Sequence, residues 1–217
     1  MILKEESAEK IALSLLEIKA IKLNPGNPFT WASGLKSPIY CDNRIALSYP
    51  EKRTYIKEQL CDAIRKNFSN VEVIAGVATA GIPQGALVAE EMGLPFVYIR
   101  SSAKAHGMTN KIEGRLEKGQ KVVVVEDLVS TGKSSLLAVD AIRDAGALVE
   151  GMVAIFTYGL DIAEQNFANS NCNLIALSDY NTMINNAVSN KYVTSEDEKS
   201  LLEWRKDPKI WSSKNGG

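Results

Sequence analysis

The sequence predicts an α/β protein built on an open, mainly parallel sheet with helices packed on both faces. From about residue 71 to residue 177, short apolar segments alternate with longer helical patterns, which is typical of βαβ units with right-handed crossovers. Residues 122–125 are four consecutive valines, a run typical of a strand that is buried on both faces. We expect residues 1–48 to form an N-terminal helix and a small hood, and residues 49–217 to form the α/β core with a C-terminal helix.

The elements follow from local patterns along the chain. Ser7 is a candidate cap for a helix whose apolar face carries Ile11, Leu15 and Ile18. Pro and Gly then interrupt the chain near residue 25, and Pro50 indicates the start of a second helix. The remaining predicted elements are a helix over 50–68, a strand over 71–77, a helix over 82–92, a strand over 95–99, a polar loop over 100–118, a strand over 121–126, a helix over 132–145 closed by Gly146, a strand over 149–157, a helix over 160–169, a strand over 173–177, a helix over 196–205 and a frayed tail over 212–217.

Composition excludes several classes of function. The 217 residues suffice for one domain with a sizeable core, and the formal net charge of −1 gives no bulk electrostatic case for nucleic acid or a membrane surface. No apolar run approaches the ~18 residues of a membrane span, and the charged N-terminal stretch does not resemble a signal peptide. Three scattered cysteines indicate reduced thiols in a cytoplasmic protein, and the single histidine excludes a multi-His metal site.

The most informative segment follows the valine run. Glu126 and Asp127 come at the carboxyl end of the predicted strand, where open α/β sheets bind ligands. Ser130, Thr131 and Gly132 then supply hydroxyls and close backbone N–H groups at a helix N-terminus, which is a ready anion site. Carboxylates do not ligate phosphate directly, but they hold ribose hydroxyls or act through a metal. The combination therefore favours a sugar phosphate as ligand.

Two other interpretations of this segment are weaker. Gly132-Lys133-Ser134 looks like the end of a P-loop, but that motif requires glycine five positions before Gly132, where this chain has Asp127. Turn and cap chemistry alone would explain one acid and one hydroxyl. It does not explain two acids followed by three consecutive small residues.

Two further segments offer groups that suit an anion. Arg100, Lys104 and His106 lie close together in a polar loop with few apolar anchors, and such a loop is able to close over a ligand and exclude water. A solvated basic turn is the alternative, but the spacing of the cations after an α/β strand favours a functional loop. Residues 77–83 form a small-residue turn that either offers N–H donors to pyrophosphate or is only a tight strand-to-helix connection.

These motifs resemble one family. Residues 126–134 resemble the phosphoribosyl diphosphate (PRPP) signature of type I phosphoribosyltransferases. Residues 98–107 are similar to the mobile catalytic loop of orotate phosphoribosyltransferases, and residues 29–40 to their N-terminal orotate-side segment. The resemblance covers most of residues 25–160. It implies the type I phosphoribosyltransferase fold and the transfer of ribose 5-phosphate from PRPP to orotate, giving orotidine 5′-monophosphate and pyrophosphate in pyrimidine biosynthesis.

The resemblance also implies roles for individual residues. Lys104, His106 and Asp127 are implied as catalytic, and Ser130 as an orotate contact. Mg²⁺ is implied as the cofactor, carried mainly by PRPP and not by a protein motif, and a homodimer is implied in which loop 100–118 reaches the neighbouring site. The implied PRPP-binding residues are Arg100, Lys104, His106, Glu126, Asp127, Leu128, Val129, Ser130, Thr131, Gly132, Lys133 and Ser134.

The chain departs from the best-known form of this family at four positions. Ala32, Ala80 and Ser101 stand where that form has lysine, and Tyr158 stands where it has arginine. We therefore hypothesise that Arg44 supplies the bidentate partner of the orotate carboxylate. Two alternatives remain, a phosphoribosyltransferase for another nucleobase and a PRPP-sensing regulator, although a regulator would need an added basic domain.

Overall fold

The computed structural model describes residues 5–31, 33–100 and 111–216. From residue 50 to residue 179 its elements alternate in the order that the sequence predicts, with one additional short strand over 112–113. They are α1 (Glu5–Glu17), β1 (Ile21–Leu23), β2 (Phe29–Thr30), β3 (Lys36–Ser37), β4 (Ile39–Cys41), a 3-10 helix (Asn43–Ser48), α2 (Pro50–Asn67), β5 (Val73–Val77), α3 (Gly81–Met92), β6 (Phe96–Ile99), β7 (Ile112–Glu113), β8 (Lys121–Val129), α4 (Lys133–Asp144), β9 (Leu148–Thr157), α5 (Asp161–Asn169), β10 (Leu174–Asp179), α6 (Tyr180–Ser189), α7 (Ser195–Lys206) and α8 (Pro208–Lys214).

The core is a six-stranded sheet in the order β10-β9-β8-β5-β6-β7. Every neighbouring pair is parallel except β6 and β7. The valine run in β8 is fully buried because the sheet is covered on both faces. Val123 and Val125 pack in a core cluster with residues of α1 and α2, whereas Val122 and Val124 pack in a second cluster with residues of α4 and α5. The predicted α/β class and mainly parallel sheet are confirmed.

Two predicted boundaries near the N-terminus and the site are wrong. Ser7 does not cap α1 but lies inside it. Strand β8 does not end at Glu126 but continues to Val129, because Leu128 and Val129 still pair with the end of β9. The polar loop also contains a short strand that the sequence did not predict, since Ile112 pairs with Ile99 in β7 and β6.

The C-terminal region is more ordered than predicted. Helices α6 and α8 were not expected, and the predicted frayed tail is partly helical because α8 extends to Lys214. The Ser212 side chain is buried and its Oγ accepts a hydrogen bond of 2.9 Å from the Lys36 amide in β3. Helix α8 therefore contacts and stabilises the short N-terminal strand β3.

An aromatic cluster joins the same two regions to the end of β9. Trp31 stacks on Tyr158 with ring centroids 5.8 Å apart and meets Trp204 edge-on at 5.7 Å. The ring centroids of Tyr180 and Trp204 lie 5.3 Å apart.

Among the described residues, no helix has the length and apolar character needed to cross a membrane. The division of the chain at residue 48 stays a prediction.

Candidate functional site

The turn between β8 and α4 forms the centre of the candidate site. Gly132 precedes α4 with a φ of +77°, a left-handed conformation that favours glycine. A Cβ added at Gly132 would lie 2.6 Å from Cε2 of Phe167 in α5. Glycine is therefore required here for both its backbone conformation and its size, and its presence lets the chain turn sharply into the helix.

This turn exposes donors at the N-terminus of α4. Thr131, Lys133 and Ser134 are exposed and Ser130 is half-buried. The first amides of an α-helix have no acceptor within the helix, and the helix dipole adds positive potential at this end. Hydroxyls and free amides at one helix end suit an anion with several oxygens, such as a phosphate.

The two adjacent acids have different surroundings. Glu126 is 5% exposed, and its two carboxyl oxygens accept hydrogen bonds from the Asp127 amide at 3.0 Å and from Ser135 Oγ at 2.9 Å. Burial, and after it the charge of Asp127, raises the pKa of Glu126 well above its usual range. Asp127 is half-buried, and its pKa is also raised, mainly by burial. Both carboxyl oxygens of Glu126 are therefore already hydrogen-bonded within the protein, and Asp127 is the more accessible of the two acids.

A buried asparagine that the sequence did not single out holds the main chain of the second acid. Asn43, at the start of the 3-10 helix, is 1% exposed, and its Nδ2 donates a 2.8 Å hydrogen bond to the Asp127 carbonyl. Its Oδ1 accepts from Cys41 Sγ at 3.3 Å. Burial and the nearby charge of Asp127 raise the pKa of the Cys41 thiol. The hood residues 41–43 therefore pack directly against the acidic end of β8.

The ends of β5 and β6 converge on the same helix N-terminus. Arg100 follows β6, and its Nη1 lies 3.4 Å from Glu113 Oε1. Arg100 and Ser134 line one small cavity of about 60 Å³ together with Ala78. Lys104 and His106 lie outside the described residues, as do Ala32 and Ser101.

The small-residue turn after β5 lies against β8. A Cβ added at Gly81 would lie 2.5 Å from the Val125 carbonyl oxygen, so only glycine allows α3 to begin this close to the strand. The peptide bond between Ala78 and Thr79 is cis. The turn thus lies beside the two acids, and both interpretations of its role that the sequence left open are compatible with this position.

Arg44 is already paired in this structure. Its Nε donates to Asp42 Oδ1 at 2.6 Å and its Nη2 to Asp42 Oδ2 at 2.9 Å. The Arg44 side chain is 56% exposed and lies close enough to Asp127 for their charges to interact. The guanidinium is therefore accessible at the hood side of the site, but a carboxylate ligand would compete with Asp42 for it.

A cleft of about 370 Å³ separates the β8–α4 turn from the hood and the C-terminal helices. Its walls come from four parts of the chain, namely the hood, the turn, the start of α5 and the α7–α8 junction. The lining residues are Trp31, Leu35, Ser130, Thr131, Leu160, Asp161, Ile162, Arg205, Lys206, Asp207, Pro208 and Lys209. Within the described ranges, no group of three or more His, Cys, Asp or Glu side chains is arranged to hold a metal ion.

Comparisons with known proteins agree with this geometry. Residues 54–176 match the model of the phosphoribosyl transferase domain family. The chain is 55% identical to an orotate phosphoribosyltransferase of Cytophaga hutchinsonii, over 94% of this chain and 97% of that protein. It is 56% identical to an orotate phosphoribosyltransferase of Porphyromonas gingivalis, over 93% and 96% of the two chains. The crystal structure of orotate phosphoribosyltransferase from Aeropyrum pernix is similar with a TM-score of 0.74 and 25% identity, over 85% of this chain and 99% of that one. Identity of this level over almost the full length of both chains shows that this chain belongs to the orotate phosphoribosyltransferase family.

Proposed function

We propose that the protein transfers ribose 5-phosphate from PRPP to orotate, giving orotidine 5′-monophosphate and pyrophosphate in pyrimidine nucleotide biosynthesis. The observation that carries this proposal is the β8–α4 turn, where exposed hydroxyls and free amides follow two acids after only two apolar residues. The phosphate groups of PRPP are esterified to its ribose, so groups that bind a phosphate and groups that bind ribose hydroxyls must lie near each other. The turn and the acids offer complementary chemistry at two such neighbouring points.

The reaction exchanges one bond for another at C1 of the ribose. A ring nitrogen of orotate forms the new bond to C1 as the bond from C1 to the diphosphate oxygen breaks, and the electron pair leaves with pyrophosphate. Positive charge develops on the ribose in between. The protein supplies orientation and charge stabilisation without a covalent intermediate. Asp127, half-buried at the strand end, is the carboxylate best placed to hold a ribose hydroxyl and to stabilise that charge.

The pyrophosphate requires cations from two sources. Mg²⁺ prefers phosphate oxygens with a few carboxylates and waters, so we assign the metal to the diphosphate of PRPP. When bound, the metal neutralises charge on the departing diphosphate. Arg100 lies at the edge of the site, and Lys104 and His106 follow it on loop 100–118. We assign these three side chains to the diphosphate and to the exclusion of water.

Orotate differs from other pyrimidines by its carboxylate. We assign Ser130 to the orotate ring and Arg44 to the carboxylate, because Arg44 is exposed on the hood side near Asp127. Bidentate pairing suits a guanidinium and a carboxylate. Binding then requires Arg44 to share or exchange its present partner, Asp42.

The direct test mixes the protein with PRPP, Mg²⁺ and orotate and follows the loss of orotate absorbance. Omission of PRPP is the control, and uracil and adenine serve as competing acceptors. Turnover of orotate alone supports the proposal. Turnover of another base only would replace the substrate assignment, and PRPP binding without turnover of any base would favour a PRPP-sensing regulator.

We further propose that the protein is a homodimer in which loop 100–118 completes the neighbouring site. Two inactive variants, Lys104→Ala and Asp127→Asn, test this by subunit mixing. If the loop acts across the dimer, mixed dimers hold one intact site of two, and activity returns to about a quarter of the wild-type value. Variants that stay inactive after exchange, with sedimentation showing a monomer, would exclude the shared loop.

We propose a cytoplasmic location. Cys61 and Cys172 are free and buried, and burial raises the pKa of each thiol to about 11. Reduced, unreactive thiols of this kind are typical of proteins in a reducing compartment. Fractionation of cells that express the tagged chain tests this assignment, and recovery from a membrane or extracellular fraction would overturn it.

A further inference from the structure

Arg205 of α7 lies against the connection between β9 and α5. Its Nη2 donates a 2.7 Å hydrogen bond to the Gly159 carbonyl. Gly159 has a left-handed φ of +58°, and a Cβ there would lie 3.3 Å from Arg205 Nη2. The Nε atom of Arg205 is buried and makes no hydrogen bond within the described part of the chain. Arg205 therefore holds this glycine with one donor, in a conformation that other residues adopt only with strain.

Gly159 is connected to the end of β8 by two further hydrogen bonds. The Gly159 amide donates to Thr157 Oγ1 at 3.1 Å. That hydroxyl in turn donates to the Val129 carbonyl at 3.1 Å. Because the hydroxyl accepts from Gly159, its own proton is directed at Val129, the last residue of β8. These three hydrogen bonds thus connect Arg205 in α7 to Val129, the residue directly before the candidate phosphate-binding turn.

A second contact fixes the other side of Ser130. Asn166 Nδ2 in α5 donates a 2.9 Å hydrogen bond to the Thr131 carbonyl. The carbonyls before and after Ser130 are therefore both held by the β9–α5 region. Arg205 also lines the 370 Å³ cleft that reaches Ser130 and Thr131, and it separates that cleft from a neighbouring one of about 300 Å³.

We propose that Arg205 is a positioning residue for residues 130–134, the β8–α4 turn that we propose to bind a phosphate of PRPP. The inference rests on that assignment. The guanidinium fixes Gly159, and the Gly159 amide orients the Thr157 hydroxyl. That hydroxyl and the Tyr158 amide, at 3.1 Å each, together hold the Val129 carbonyl at the strand end from which the loop starts. Arg205 lies beyond residues 54–176, which match the family model. The C-terminal helices of this chain thereby contribute to the binding of PRPP without touching it.

The test measures PRPP affinity by calorimetry, with Mg²⁺ and without orotate, so that no turnover is needed. Arg205→Met removes the donor, Arg205→Lys keeps a charge with different geometry, and Lys199→Met is the control at an exposed lysine of the same helix. We expect Arg205→Met to weaken PRPP binding about fivefold to tenfold, which is part of the contribution of a charge-assisted hydrogen bond. Arg205→Lys should recover part of that loss, and Lys199→Met should bind as the wild type does.

A second variant keeps the proposal testable if Arg205→Met fails to fold. Thr157→Val keeps the side-chain shape and Arg205 but removes the intermediate hydroxyl, and Thr54→Val on the exposed face of α2 is its control. Weaker PRPP binding in Thr157→Val, with binding unchanged in Thr54→Val, supports the proposal. A lower melting temperature with unchanged PRPP affinity in both Arg205→Met and Thr157→Val would overturn it. A wild-type protein that does not bind PRPP would instead refute the proposed function.

Discussion

Replacement of Asn43 by alanine should impair both stability and catalysis, because this side chain holds the main chain of Asp127. The pairing between β8 and β5 ends at Val125, so the Asp127 carbonyl lies beyond that ladder and accepts from Asn43 instead. Removal of the partner of a buried carbonyl costs about 1–3 kcal/mol. For a chain of this size, each kcal/mol lowers the melting temperature by roughly 2–4 °C. We expect a melting temperature lower by roughly 2–12 °C.

The catalytic effect separates a positioning role from a merely structural one. Displacement of Asp127 should lower kcat/KM for PRPP at least about tenfold, which corresponds to ~1.4 kcal/mol of lost transition-state stabilisation. The assay is the loss of orotate absorbance at varied PRPP. Asn67→Ala is the matched control, since Asn67 Nδ2 also donates a 2.8 Å hydrogen bond to a main-chain carbonyl, at the far end of α2. A lower melting temperature with kcat/KM within twofold of wild type would refute this reasoning.

Four further changes test other parts of the site. Gly132→Ala should lower the melting temperature more than Gly119→Ala does, because both glycines have a positive φ but only the Cβ at Gly132 would meet a neighbouring ring; equal losses would contradict this. The Glu126→Gln variant should gain stability relative to the wild type as the pH rises from about 4.5, the pKa of the Glu126 carboxyl in the unfolded chain. In the folded protein the pKa of Glu126 is raised, so the wild type loses stability between the unfolded and the folded pKa of this carboxyl. Urea unfolding at several pH values measures this, and the opposite trend would exclude a buried, protonated Glu126. Lys104→Ala should lower turnover with little change in melting temperature, and a large loss of stability would make loop 100–118 structural. Arg44→Ala should weaken orotate binding measured by titration, and unchanged affinity would remove Arg44 from the orotate site.

The sequence predicts the sheet well because the information is local. Valines at consecutive positions, Gly and Pro at the turns and helical periodicity between them all lie within a few residues of the element they specify. The end of β8 was placed too early, at Glu126, because two acids and a small-residue turn are typical of a strand end. In the fold, β9 extends to Thr157 and supplies main-chain partners for Leu128 and Val129. A strand end of this kind depends on the length of its neighbour, which the local sequence does not contain.

The sequence predicts the chemistry of the candidate site but not the residues that hold its main chain in place. Glu126, Asp127 and the turn that follows are contiguous, so their spacing alone indicates a sugar phosphate. Asn43 and Arg205 were missed because each acts on a main-chain carbonyl far away in sequence, at separations of 84 and 46 residues. Neither residue stands out in its local sequence, since Asn43 lies between Asp42 and Arg44, and Arg205 lies between Trp204 and Lys206. Residues that position a site through the backbone become visible only when the fold brings the segments together.

The same folding gives two neighbouring acids different chemical properties. Glu126 is enclosed between its own strand and Ser135, and both carboxyls have raised pKa values, so the pair retains a proton to higher pH than two exposed acids would. PRPP carries several negative charges, and two ionised carboxylates beside it would repel it. Burial disfavours a second charge on the pair, so this repulsion is smaller than the repulsion from two exposed, fully ionised acids would be. Burial of Glu126 thus lowers the negative charge beside the turn at which we propose that an anionic sugar binds.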